Sequence, residues 1–182
     1  EQSFSLSGGR SISNIFRFRR TLEEASFFGI LATDRRMVDN DGSGSVVGFD
    51  TRYKFNKTYQ VEFQTLFSHT KEPHDSLLIS NVNFGDNYTF TFDGESFTGN
   101  AMELEFRRET EHWGLETGYD HRSPAFRADN GFISNNNQRR VYLESYWVFT
   151  PDKMIRKVVG GFHSGLEYNF DGEKKITLYK LF

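Results

Sequence analysis

Side chains that alternate with a period of two, large apolar on one face and polar on the other, constrain this chain more than any other feature. The pattern is clearest at Tyr59-Gln60-Val61-Glu62-Phe63-Gln64-Thr65-Leu66-Phe67. It returns at Phe49–Phe55, Met102–Arg107 and Val141–Trp147. Successive side chains of an extended strand point to opposite faces, so each stretch has one greasy and one wet face. A chain built this way is all-β. Its central question is whether the greasy face meets a protein core or lipid.

Composition narrows that choice. Of 182 residues, 20 are Phe and 8 are Tyr, against 3 Pro. This usage suits long strands, because proline removes a ladder donor. The hydrophobic share is only 36%, low for a water-soluble core of this size and ordinary for a transmembrane barrel with a polar lumen. A net charge of −3 gives no electrostatic case for nucleic acid. Cysteine is absent, which excludes disulfides and thiolate metal sites. No apolar run is long enough for a helical span. With no initiator Met and no leader before Glu1, the chain reads as a mature or internal segment.

The pattern predicts ten or eleven strands, here named by residue numbers: 3–7, 12–19, 25–33, 46–55, 58–68, 87–92, 101–108, 113–120, 139–150, 155–170 and 174–182. Residues 22–25 can pass for a helical turn, and Leu77-Leu78-Ile79 for a short strand inside a long loop. Asn56-Lys57, Asp93-Gly94, Pro151-Asp152 and Asp171-Gly172 read as tight connections. Long irregular stretches cover 71–86 and 121–138. Tight turns alternating with long loops are the habit of outer-membrane barrels.

Three segments carry a family resemblance. They are Phe28-Gly29-Ile30-Leu31-Ala32-Thr33-Asp34-Arg35, Val47-Gly48-Phe49-Asp50-Thr51-Arg52-Tyr53 and Ser123-Pro124-Ala125-Phe126-Arg127-Ala128-Asp129-Asn130-Gly131-Phe132. In order and spacing the chain resembles an outer-membrane domain of Gram-negative bacteria, domain of unknown function 5916, which usually follows a carbohydrate-binding family 9-like domain. The resemblance implies a β-barrel in the bacterial outer membrane and supplies no catalytic residues. The chain departs from the pattern after Phe132, where Ile133-Ser134-Asn135-Asn136-Asn137 replaces an Arg-Thr-Asp-like run. Phe182 ends the chain on an aromatic residue, while Lys180 stands where a companion aromatic is common.

Two constellations could carry function. Asp50, Arg52, Glu62, Glu103, Glu105, Arg107, Glu116, Glu144 and Glu167 fall on the wet side of their strands. In a barrel they would line the lumen, as a pore surface or an ion-pair network. In a soluble sheet they would be a solvated outer face. Tyr59, Phe67, Trp113, Tyr119, Trp147 and Phe170 are the matching candidates for interfacial girdles, with core packing as the rival reading. Second, the run from Asp39 to Asp50 has the spacing of a calcium loop, with Asp39, Asp41, Ser43, Ser45 and Asp50 as oxygen ligands. The competing reading is a polar, Gly-rich hairpin. His69, His74, His112, His121 and His163 form no metal-ligand spacing and read as exposed loop residues. His163 and Ser164 are adjacent, so on a strand they face opposite ways and cannot act as base and nucleophile.

The expectation is an antiparallel up-and-down β-barrel of about ten or more strands, transmembrane, either whole or a segment of a larger barrel. Its role would be structural, transport or surface presentation, without catalysis. Its partners would be outer-membrane lipid and other envelope proteins, with calcium the one cofactor to weigh. The alternative is a soluble β-sandwich or small barrel binding a ligand, with or without the calcium loop. The destination of the aromatic face separates the two.

Overall fold

A computed structural model of the chain describes residues 10–75, 80, 82–85, 87–130, 135–150 and 157–182. The expected strand at 3–7, the segment Leu77-Leu78-Ile79 and the Pro151-Asp152 turn lie outside these. The strands are β1 (Ser11–Thr21), β2 (Phe27–Met37), β3 (Ser43–Phe55), β4 (Tyr59–Lys71), β5 (Asn83–Phe84), β6 (Tyr88–Thr89), β7 (Ser96–Glu109), β8 (Trp113–Arg122), β9 (Gln138–Phe149), β10 (Val158–Tyr168) and β11 (Lys174–Leu181). Nine of them form one antiparallel sheet in the order β1-β2-β3-β4-β7-β8-β9-β10-β11. β5 and β6 pair separately as a small hairpin in the long β4–β7 connection. The only helical element among the described residues is a 3-10 turn, Glu23–Ala25, where the sequence suggested a helical turn. Among the described residues no helix is long and apolar enough to cross a membrane.

Every neighbour in the large sheet follows its predecessor by an antiparallel pairing, which is an up-and-down meander. The expected closed barrel is not formed by the described strands: β1 and β11 are the two edges. The reason is countable. In a nine-stranded meander the first and last strands run in the same direction, so direct closure would demand a parallel pair. An all-antiparallel closure takes an odd number of further strands.

The connections divide by rim. One rim carries the turns at 22–26, 56–58 and 110–112 and the connection 150–157, and the other carries the two longest connections, 72–95 and 123–137, beside the shorter 38–42 and 169–173. At Asn56-Lys57 both turn residues have positive φ, 52° and 54°. That is the primed-turn geometry that matches strand twist. The sequence expectation fails at 87–92, where only Tyr88–Thr89 is strand. Asp93-Gly94 does not join two sheet strands; Asp93 bridges to His74 instead, and β7 starts at Ser96.

Most of the packed core lies at one end of one face, while Phe27 is buried at the other end beneath Arg19. Val46, Phe92, Phe97, Ala101, Ala125 and Phe126 are buried at the long-loop rim, with Ser68, Thr70, Glu72 and Ser123 among them. The opposite face has no cover among the described residues. Val47, Phe67, Leu104, Val141 and Trp147 are exposed there, Phe67 to 61%.

Candidate functional site

Register places all nine wet-side charges on a single face. Arg52 pairs with Glu62, and Glu62 with Glu105. Arg107 pairs with Glu116, and Glu116 with Glu144. Glu103 pairs with Asp120, Asp120 with Arg140, and Arg140 with Glu167, while Asp50 lies two residues before Arg52 on β3. The patch thus crosses six neighbouring strands, from β3 through β4, β7, β8 and β9 to β10.

Several of these pairs set like charges directly opposite, which is destabilising unless relieved. The relief comes from interleaved cations. Arg52 Nη2 lies 3.0 Å from a Glu62 oxygen. Arg107 lies 2.9 Å from Glu105 and 3.0 Å from Glu116. Arg140 Nε donates to Asp120 at 2.7 Å, and His163 Nδ1 lies 3.0 Å from Glu144. Gln60 Nε2 donates to Glu62 at 2.6 Å.

Two contacts cross an intervening strand, and each passes over a glycine. Arg17 on β1 reaches Asp50 on β3 at 2.6 Å, above Gly29 of β2. Tyr142 Oη on β9 donates to Glu105 on β7 at 3.0 Å, above Gly118 of β8. A Cβ at Gly118 would lie 2.6 Å from the Tyr142 ring, and one at Gly29 would lie 2.8 Å from Asp50. Strands two apart are about 9.6 Å apart, so such contacts need long side chains and a low strand between them. Three carboxylates of this face are sheltered, with side-chain exposure of 13% at Asp50, 14% at Glu105 and 11% at Asp120, while Glu103 is exposed.

The opposite face carries aromatics toward both ends of the strands, with the Phe49–Phe63 contact at 6.4 Å between them. At the short-turn rim Tyr53, Phe55 and Tyr59 stack in series with centroid separations of 5.8 and 5.2 Å, and Tyr59 continues to Phe106 at 6.1 Å. Arg108 sits 4.2 Å above Trp113, and Trp113 pairs with Trp147. Trp113 Nε1 donates to Ser145, which satisfies its polar edge. Toward the long-loop rim stand Phe67, Tyr119 and the His121–Phe170 edge contact, with Arg139 4.1 Å above Phe170. The eight-residue step from Tyr59 to Phe67 spans about 26 Å along the strand. All six girdle candidates therefore lie with the outward aromatic set.

At the long-loop rim the inner face is filled. Residues 123–130 fold against β7 and β4: Asn100 N–H donates to Ser123 Oγ and Arg127 N–H to Ser68 Oγ. Gly99 permits this seating, because a Cβ there would lie 2.3 Å from the Phe126 backbone. Arg127 Nη1 donates to Glu72 Oε1 at 2.8 Å and lies 3.6 Å from Asp129. Burial pushes the Glu72 carboxyl up to about 7, against the partial relief of the Arg127 guanidinium. Burial likewise raises Asp129, opposed by Arg127 and Arg35.

The proposed calcium loop does not converge. Ser43, Ser45 and Asp50 lie along extended β3, and the seven residues from Ser43 to Asp50 span about 23 Å. Asp39 instead accepts from the Arg10 backbone and side chain, which lowers its carboxyl below the usual range. Ser45 Oγ donates to Asp34, and Asp50 pairs with Arg17. Asp41 is left in the turn after β2. The five cannot surround one ion.

Sequence reasoning also missed Arg17, Gln60, Asp120, Arg140, Tyr142 and His163 as members of the polar face. Strand parity could have found Arg140 and Tyr142, which share it with Glu144; Arg17 becomes a member only through the gap at Gly29. The histidines are corrected in part: His69, His121 and His163 lie in strands rather than loops. No family model, curated protein or solved structure matches the chain.

Proposed function

We propose that this chain forms the wall of a bacterial outer-membrane β-barrel, with its aromatic face on lipid and its charged face on the lumen. One observation carries the reading: large apolar side chains of the aromatic face are uncovered among the described residues, while the charged face is laced with ion pairs in which Asp50, Glu105 and Asp120 are sheltered. A soluble sandwich has the reverse arrangement, since it must bury its apolar face. Two bands of aromatics, one at each end of the strands, suit the two interfaces of a bilayer. The placing of the two longest connections on the same rim fits the same picture, as does the resemblance to the outer-membrane domain. Closure then takes an odd number of additional strands beside β1 and β11.

The role within such a barrel is anchoring or surface presentation rather than open diffusion. Phe92, Ala125 and Phe126 occupy the inner face at the long-loop rim, where a free channel would need water. The luminal carboxylates are mostly committed to arginine, histidine or tyrosine partners, which suits a structural network. No catalytic constellation enters this reading.

Membrane partition tests it. The expressed chain should require detergent or lipid to stay dispersed and should migrate differently on a gel before and after heating. A monodisperse protein in detergent-free buffer would overturn the assignment.

A further inference from the structure

The long β4–β7 connection is cinched at its neck. Glu72 follows β4 directly, and Glu95 directly precedes β7. Glu72 N–H donates to the Glu95 carbonyl at 2.9 Å, Asp75 N–H to the Phe92 carbonyl at 2.7 Å, and Asp93 bridges to His74. These bonds gather three carboxylates. One oxygen each from Glu72, Asp93 and Glu95 lies within 4.8 Å of the others.

Acidic neighbours alone mean little, since exposed clusters are common. The second observation is at Glu72. Its side chain is fully buried. Oε1 is taken by Arg127, while Oε2 is buried with no hydrogen-bond partner. A buried, unsatisfied carboxylate oxygen costs desolvation energy that nothing in the chain returns. Asp93 and Glu95 lie beside the same Glu72 carboxyl and add repulsion to it.

We propose that Glu72, Asp93 and Glu95 bind a divalent cation of the calcium class at the neck of this connection. Calcium takes oxygen ligands at 2.3–2.6 Å, so ligand oxygens opposite one another across the ion lie up to about 5 Å apart. The Glu72–Asp93–Glu95 separations fit within that limit. Asp93 Oδ1 accepts from Glu95 N–H and Glu95 Oε2 from Thr89 N–H, so each keeps a second oxygen for the ion. Arg127 stays on Oε1 and orients the carboxyl. Water would complete the shell, because Asp93 is exposed and Glu95 half-buried. The ion would tie the end of β4 to the start of β7 and brace the loop seated on Phe97. This clamp stands whichever solvent covers the aromatic face.

Calorimetric titration of CaCl2 into the full chain, purified in detergent, stripped with EDTA and exchanged into metal-free buffer, tests the assignment. The expected result is saturable binding of one equivalent and a higher unfolding temperature with calcium. Asp93→Asn with Glu95→Gln should weaken binding by about tenfold or more, while Asp39→Asn with Asp41→Asn should leave it unchanged. Should the first pair fail to fold, Glu95→Gln alone gives the same comparison at a site outside the core. No saturable heat and no thermal shift would overturn the proposal, as would undiminished binding in the Glu95 variant.

Discussion

The inner face of the sheet behaves as two regions, although the same strands build both. Toward the long-loop rim it is a dry core, where Val46, Phe97 and Ala101 receive Phe92, Ala125 and Phe126. Along the rest of its length it is a charged surface, where Arg17, Arg52, Arg107 and Arg140 hold carboxylates in pairs. The alternation of side chains is the same in both. What differs is whether a loop returns to cover the face. Where residues 123–130 come back, the sheet positions beneath them are uncharged and several are small, as at Gly44, Ser68, Gly99 and Ala101. Where no loop returns, they are long and charged. Stability should therefore depend on packing in the first region and on polar satisfaction in the second.

The comparison can be broken most sharply at Phe126, 2% exposed. Phe126→Ala should cost about 3–5 kcal/mol by denaturant unfolding in mixed micelles, because it empties the dry region. A loss no larger than that of an exposed aromatic would mean the loop is not seated. On the outward face, Phe63→Arg should cost about 2–4 kcal/mol in a lipid bilayer, since Phe63 sits mid-strand on the proposed lipid side. Glu62→Gln, one residue away and inward, should be much milder. The reverse ranking in refolding titrations would count against the lipid assignment.

The pH dependence sharpens the dry region further. Glu72 ordinarily titrates near 4.5 and is raised to about 7 in the fold. Between those values the folded chain holds the proton better than the unfolded chain does. The contribution is thus fully present below 4.5 and is lost as pH climbs through 7, on the order of 2–3 kcal/mol. Unfolding midpoints with chelator present should show this slope, and Glu72→Gln should flatten it. In the charged region, Gly118→Ala should cost about 1–3 kcal/mol by pushing Tyr142 off Glu105. Hydrogen exchange would locate the loss on β8 and β9. The smallest effect expected is Glu144→Gln, within about 1 kcal/mol, because its His163 partner is partly exposed. A larger loss would show the network to be cooperative.

Much of this was legible in the chain. Alternation around Glu62, Glu105 and Glu144 read the strands and their faces correctly, because a period of two is a local property of extended backbone. Asn56-Lys57 read as a hairpin for the same local reason. The failures are non-local. The stretch 87–92 looked like a strand, yet it lies in a connection whose partners are set by His74 and Phe92. The run from Asp39 to Asp50 had calcium spacing, yet β3 pairs from Ser43 onward and pulls the ligands into line. Glu72, Asp93 and Glu95 have no motif, because they are brought together by the loop neck.

The sequence by itself determined an all-β meander with an aromatic and a charged face, since both follow from side-chain order along each strand. It could not say which face is sheltered, because that depends on how the sheet curls. Tertiary structure bears on it: the glycines at 29 and 118 let long polar side chains meet across a strand, where Asp50 and Glu105 are sheltered. It also decided that residues 123–130 cover one end of that face. Both outcomes rest on contacts between residues far apart in the chain, which local pattern does not encode.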